Sequence, residues 1–255
     1  MRLEGKGAVV TGGGRGIGAE VARELAARGA RVVVSARSVD QLEAVAAELG
    51  DGVSAIACDV ADPAAIEALR DEATARLGAV DVLVNNAGIA SSAPVKRQSL
   101  EEWNRLIAVN ATGTFLCTQA FLPAMVERGW GRVINVASVA GKMGGAYIGA
   151  YSASKHAVVG FTRSLAQEVA TTGVTANAVC PGYVDTEMTD YSVARIVEKT
   201  GAGEDDARRR LEAVSPQRRL IEPEEVAFLV AMLCDERARG INGQALVIDG
   251  GMVQS

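Results

Sequence analysis

The sequence predicts an α/β fold: one doubly wound domain, a seven-stranded parallel sheet with helices on both faces. Three observations predict it. Short β-branched runs alternate with longer amphipathic segments nearly to the C-terminus. The runs are apolar at successive positions, as strands covered on both faces must be. A glycine-rich turn joins the first run to the first amphipathic segment. Seven runs and the segments between them use up the 255 residues, so residues 1–255 read as a single domain without linker, repeat or low-complexity stretch.

In chain order, the strands are expected at Ala8–Thr11, Arg31–Ser35, Val53–Cys58, Val82–Asn85, Arg132–Ala137, Thr175–Val179 and Ala245–Ile248. Ile17–Arg28 carries Ile17, Val21, Leu25 and Ala26 at helical spacing and ends at Gly29. Leu42–Leu49 and Ile66–Leu77 are similar, and Asp62–Pro63 opens the latter with a helix-start signature. Trp103–Val126 and Tyr151–Val169 are long and apolar, as helices buried against a sheet or a partner subunit would be. Residues 186–216 break the rhythm: they are polar, with short helical stretches at Val193–Lys199 and Asp205–Val214, before a helix beginning at Glu222–Pro223. The segment is expected to be a lid over a site, the alternative being a surface excursion with no gating role.

Composition narrows the functions. With 31 acidic and 26 basic side chains the net charge is −5, and no Lys/Arg-rich block suits a nucleic-acid partner. One histidine and four cysteines scattered without a CxxC pair disfavour a metal site. Apolar-flanked, unpaired thiols suit a reducing cytoplasm, and Cys117 and Cys180 read as core residues. No signal peptide and no membrane-spanning segment are expected.

The glycine turn, Thr11-Gly12-Gly13-Gly14-Arg15-Gly16-Ile17-Gly18, lies between strand and helix as in a Rossmann dinucleotide-binding unit. Gly12, Gly14, Gly16 and Gly18 allow a tight turn and a close approach to a pyrophosphate, which the N–H groups at Ile17 would meet. At the end of the second strand, where a carboxylate would hold a ribose 2′-hydroxyl, stand Ser35, Ala36 and Arg37. Arg15 and Arg37 with no acid at that place favour a 2′-phosphate, hence NADP(H) over NAD(H), unless both are ordinary surface arginines.

Ser138 follows the fifth strand, and thirteen residues later comes Tyr151-Ser-Ala-Ser-Lys155. Tyr151 and Lys155 share a helix face, where an ammonium would lower the phenol pKa and tune it for acid/base work at a carbonyl or alcohol oxygen. Ser138 would hold that oxygen by a hydrogen bond. Lone Tyr-x-x-x-Lys pairs arise by chance; the glycine turn and the strand-end serine give this one meaning.

These residues resemble the short-chain dehydrogenase/reductase family over essentially the full length. The resemblance rests on Thr11–Gly18, Cys58-Asp59-Val60, Asn85-Asn86-Ala87-Gly88, Asn110, Ser138, Tyr151, Lys155 and Pro181-Gly182 with Thr186. It implies that Asp59 and Val60 lie at the adenine, and that Asn86, Ala87 and Gly88 support the central strand beside the cofactor. Asn110 would hold a water that relays protons to Lys155. Pro181, Gly182, Val184 and Thr186 would pass the nicotinamide, and the protein would be a homotetramer. Within the family the nearest likenesses are 3-oxoacyl-carrier-protein and acetoacetyl-CoA reductases and polyketide ketoreductases.

Substrate positions are expected at Val139, Gly141, Met143, Gly145, Tyr147, Tyr183 and Met188, an apolar site with tyrosine hydroxyls. Arg208–Arg210 and Arg218–Arg219 could form a basic patch for an acyl-carrier protein or coenzyme A, or could simply balance nearby acids. His156, beside Lys155, turns about 100° away from the Tyr–Lys face and reads as a packing residue. The favoured activity is NADPH-dependent reduction of a ketone. Its alternatives are an NAD-dependent secondary-alcohol or 3-hydroxyacyl-CoA dehydrogenase and, more remotely, a non-catalytic nucleotide-binding regulator.

Overall fold

The computed structural model describes residues 3–254; residues 1, 2 and 255 of the expected domain lie outside the described residues. The strands are β1 (Gly7–Thr11), β2 (Arg31–Ala36), β3 (Val53–Ala57), β4 (Val82–Asn85), β5 (Gly131–Val136), β6 (Val174–Pro181) and β7 (Ala245–Ile248). They form one sheet in the order β3-β2-β1-β4-β5-β6-β7, every neighbouring pair parallel. The order reverses between β1 and β4, which opens a crevice at the carboxyl ends of those strands.

Strand alternation decides which helix covers which face. Ala8, Val10, Val32, Val34, Val82, Val84, Ile134 and Val136 point to one side, where Val21 and Leu25 of α1 (Gly16–Ala27) and Val226 and Val230 of α9 (Pro223–Cys234) bury them. The intervening Val9, Val33, Leu83 and Val133 point to the other side. There they meet Ile66 and Leu69 of α3 (Pro63–Leu77), Cys117, Phe121 and Met125 of α5 (Gly113–Glu127) and Leu165 of α6 (Gly149–Glu168). Asp62 caps α3 by accepting from Ala64 N–H at 2.9 Å, as its Asp–Pro start predicts. All four cysteines are buried and unbridged.

Two helical segments differ from the sequence expectation. The long helix expected from Trp103 begins earlier and is interrupted: α4 (Leu100–Ile107) is capped by Ser99, a π-turn occupies Ala108–Thr112, and α5 follows. This 28-residue rod, Leu100–Glu127, is the one helix among the described residues long and apolar enough to cross a membrane by length and composition. Its buried Leu106, Asn110, Cys117 and Met125 face the interior of the domain. In the expected lid, helix is more extensive than the polar sequence suggested. It contains α7 (Glu187–Thr200), ended by left-handed Gly201, and α8 (Glu204–Glu212). Val193, Ala207, Leu211 and Leu220 give it a small core of its own.

Candidate active site

The carboxyl ends of β1, β4, β5 and β6 carry the predicted residues to one edge of the sheet. In the glycine turn, Gly12 and Gly16 have positive φ, +66° and +52°. A Cβ on Gly18 would run into the Gly12 carbonyl and stand 2.5 Å from Asn86 Nδ2. Asn86 spans the turn from the neighbouring strand, its amide donating to Thr11 O at 3.0 Å and Gly12 O at 3.1 Å. Thr11 Oγ1 accepts from Asn86 N and Ala87 N, both at 3.1 Å. No side chain caps α1, so its first N–H groups face the crevice beside a bare glycine cradle. That is the surface a pyrophosphate requires.

The ribose end is less uniform. Arg37 is exposed and makes no ion pair among the described residues, while Arg15 is paired with Glu187 at the start of α7. Ser35 is 1% exposed, with its hydroxyl unpartnered. Asp59 accepts from Ala61 N at 3.0 Å, and Val60 packs below Gly113. On the far side, Pro181 and Val184 are buried and Gly182 packs on Asp249. Thr186 reaches the glycine turn: its Cγ2 would lie 3.2 Å from a Cβ on Gly16. The Val184 carbonyl accepts from Thr189 Oγ1 at 2.6 Å, and its side chain packs in the core.

Ser138, just past β5, uses its Oγ to accept from Ala140 N at 3.1 Å, and its hydroxyl acts on the Tyr151 phenol in the direction that favours the phenolate. One turn along α6, Lys155 is 5% exposed, its Nζ donating to Val136 O at 2.9 Å and lying 5.9 Å from the Tyr151 ring centre. The expected lowering of the phenol is corrected here. Burial pushes the Tyr151 phenol up, and the Ser138 hydrogen bond offsets this only in part. Burial also pulls the Lys155 ammonium down, to about 8, because no carboxylate offsets the lost hydration.

The π-turn delivers Asn110. Its Oδ1 accepts from Ile89 N at 2.8 Å, and its Nδ2 donates to Ile89 O and Ser154 Oγ, both at 2.9 Å. Gly88 fits between: a Cβ there would stand 3.3 Å from Asn110 Oδ1 and 3.4 Å from Lys155 Nζ. Extra helical residues of this kind recur at functional sites, and here one brings a polar side chain beside the Lys155 ammonium.

The expected substrate positions divide. Met143, Tyr147, Tyr183 and Met188 are exposed around the crevice. Val139 and Gly141 are buried, and a Cβ on Gly141 would collide with the Lys155 backbone, so neither lines an open surface. Gly145 is exposed beside Ile148. Tyr147 has φ +68°, a strained value for a tyrosine, and its carbonyl holds Ala93 N at 2.7 Å. His156 bonds Ser152 within its own helix, away from the phenol–ammonium pair.

The basic patch expected at 208–210 and 218–219 is largely neutralised. Arg208 pairs with Asp185, Asp190 and Glu212, Arg209 with Asp206, and Arg219 with Glu225. Sequence reasoning missed a different group, Arg97, Arg105 and Arg195, which line one cleft although they come from three separate segments. It also missed a buried amide ladder beneath the site, in which Asn85 donates to Asn135 at 2.8 Å and Asn135 to Thr162 at 2.9 Å. Asparagine inside otherwise apolar strands was the available signal.

A family model described as short chain dehydrogenase matches residues 6–196. The chain is 40% identical over 252 residues to the 3-oxoacyl-[acyl-carrier-protein] reductase FabG of Escherichia coli, covering 99% of each. It is also 40% identical over 255 residues to the D-beta-hydroxybutyrate dehydrogenase of Cupriavidus necator, covering 98% of this chain and 99% of the other. Among solved structures, a point variant of actinorhodin polyketide ketoreductase with NADPH superposes with a TM-score of 0.94 at 41% identity, covering 97% of each chain.

Proposed function

The chain belongs to the short chain dehydrogenase family, and from that premise we propose that it is an NADPH-dependent ketoreductase acting on a 3-oxoacyl thioester or a polyketide-like ketone. One observation carries the reading: Ser138, Tyr151, Lys155 and Asn110 converge beside a glycine cradle that a Cβ would fill. The carrier-protein reductase and the polyketide ketoreductase with NADPH, each about two-fifths identical over nearly the whole chain, support it.

The residues present fit such a cofactor. Gly12, Gly16 and Gly18 with the uncapped start of α1 would hold the pyrophosphate, Arg37 and Arg15 a 2′-phosphate, and Thr186 the nicotinamide end. When bound, NADPH supplies the hydride that reduces the carbonyl carbon. Tyr151, kept protonated by its burial, donates a proton to the carbonyl oxygen, which Ser138 holds. Lys155, with a pKa near neutrality at about 8, can return that proton to the phenol. Both N–H groups of the Asn110 amide are spent on Ile89 and Ser154, while its Oδ1, which accepts from Ile89 N, keeps a second lone pair.

The dehydrogenase relative favours a second reading, oxidation of a 3-hydroxyacyl compound with NAD. Arg37 without a carboxylate at the end of β2 argues against it. The comparison of kcat/KM for NADPH and NADH on an acetoacetyl thioester tests the choice: at least tenfold in favour of NADPH is expected, and preference for NADH overturns it. A reducing cytoplasm suits the four buried free thiols. A homotetramer through α4–α5 and α6 suits the exposed Phe115 beside Phe161 on those helices, their rings 5.9 Å apart.

A further inference from the structure

A cleft of about 270 Å³, several times the roughly 30 Å³ of a water molecule, opens between the loop after β4 and the lid helix α7. Three guanidinium groups converge on it: Arg97 from a short 3₁₀ turn, Arg105 from α4 and Arg195 from α7. Glu102 is the one carboxylate in the lining, committed to Arg105 through hydrogen bonds of 2.7 and 2.8 Å, while Glu101 and Glu198 act on Arg105 and Arg195 from outside it. Arg195 crosses the cleft, donating to Ser92 O at 3.2 Å and Tyr191 Oη at 3.3 Å, which leaves further N–H donors unspent. Arg97 is exposed and makes no ion pair among the described residues. Ser99 accepts from Glu102 N at 3.1 Å and keeps its own proton to donate. Convergent guanidiniums and hydroxyls with a positive balance are the donor set for a phosphate.

The cleft is tied to the chemistry. Its wall begins at Ala90, next to Ile89, which Asn110 grips by both backbone groups, and Ala93 N is held by the carbonyl of Tyr147, one helical turn before Tyr151. A ligand reacting at Tyr151 and extending past Tyr147 would lay its far end here.

We propose that this cleft is a phosphate subsite, in which Arg97 and Arg195 hold the 4′-phosphate of the pantetheine arm that carries the acyl thioester. The inference rests on the thioester reading above. That phosphate occurs both in an acyl-carrier protein and in coenzyme A. Arg208 and Arg209 of α8, neutralised by Asp185, Asp190, Glu212 and Asp206, are not needed for it.

The test compares kcat/KM on three acetoacetyl thioesters: coenzyme A, acyl-carrier protein and N-acetylcysteamine, which lacks the phosphate. In Arg97→Ala and Arg195→Gln, the ratio of phosphate-bearing to phosphate-free substrate should fall about tenfold, the worth of one charge-assisted contact. A fall for coenzyme A alone, for the carrier alone or for both supports the subsite and identifies the source. A ratio within twofold of wild type for both overturns it. Calorimetric titration with 4′-phosphopantetheine and with pantetheine provides a readout independent of turnover. Wild type should bind the phosphorylated form at least fivefold more tightly and Arg97→Ala should lose that preference; equal binding in wild type overturns the subsite. Should wild type reduce none of the thioesters, the reaction assignment fails while this titration still decides the cleft.

Discussion

The two ends of β5 each bury a cation, and the fold treats them oppositely. At the N-terminal end Arg132 is 1% exposed, hydrogen-bonded to Glu236 at 3.0 Å and to the Gly131 and Gly173 carbonyls, with its guanidinium 4.3 Å over the Trp130 ring. Past the C-terminal end Lys155 is also buried but has no carboxylate partner among the described residues, only the Val136 carbonyl and the Tyr151 ring, 5.9 Å away. Burial lowers both pKa values. Arginine keeps its proton regardless, whereas lysine at about 8 can give it up. A buried cation with a counter-ion holds a structure together; one without a counter-ion is available for chemistry.

This contrast can be broken by substitution. The largest expected effect is at the reactive end: Tyr151→Phe should lower ketone reduction by about 10³-fold with the fold intact by circular dichroism, the size expected for losing a placed general acid. Activity within threefold of wild type would remove Tyr151 from the mechanism. Next come paired stability measurements by urea unfolding. Arg132→Met should cost about 3 kcal/mol, because it strips hydrogen bonds from two carbonyls and contacts from Trp130, while activity per folded molecule is retained. Lys155→Met should leave unfolding free energy unchanged or raise it by up to ~3 kcal/mol, the penalty of holding at neutral pH an ammonium lowered from 10.5 to about 8. Its activity should nevertheless collapse. If both variants lose stability alike, the two cations are equivalent.

The pH profile sharpens the same point. As pH rises through about 8, Lys155 loses its charge, so kcat/KM for reduction should decline above that pH. Lys155→Arg, however slow, should lack that limb. A wild-type profile flat to pH 10 would refute the assignment. The smallest effect belongs to Glu236, whose carboxyl is held below the usual range by the Trp130 hydrogen bond and by Arg132. A lowered carboxyl adds stability that is present above about 4.5 and is lost as pH falls through the folded-state value. Because this side chain is 58% exposed, Glu236→Gln should cost less than ~1 kcal/mol at neutral pH and flatten the acid side of the stability curve.

Much of this was legible in the sequence because its causes are local. The strands announced themselves through runs such as Val32–Val34 and Val82–Val84, and the glycine turn and the Tyr151–Lys155 spacing are short-range patterns. What escaped depends on partners far along the chain. Arg15 meets Glu187, Arg195 reaches the loop at Ser92, and Arg132 finds Glu236, and no window of sequence holds both members of these pairs. The direction of the Tyr151 shift escaped for another reason. Helical spacing shows that an ammonium is near, but only the packed structure shows that the phenol is buried deeply enough for desolvation to dominate its shift.

The π-turn at Ala108–Thr112 has a consequence for how this rod can change over generations. An extra residue inside a helix works as a phase setting: everything after it is turned by about 100° relative to an uninterrupted α-helix. Deleting one residue there would close the turn to a plain α-helix, so the face that buries Cys117, Phe121 and Met125 would stay inward while Asn110 lost its hold on Ile89. A deletion elsewhere along Leu100–Glu127 would instead rotate that face by about 100°. The turn is thus the one place where this rod can lose a residue without repacking the surface against it.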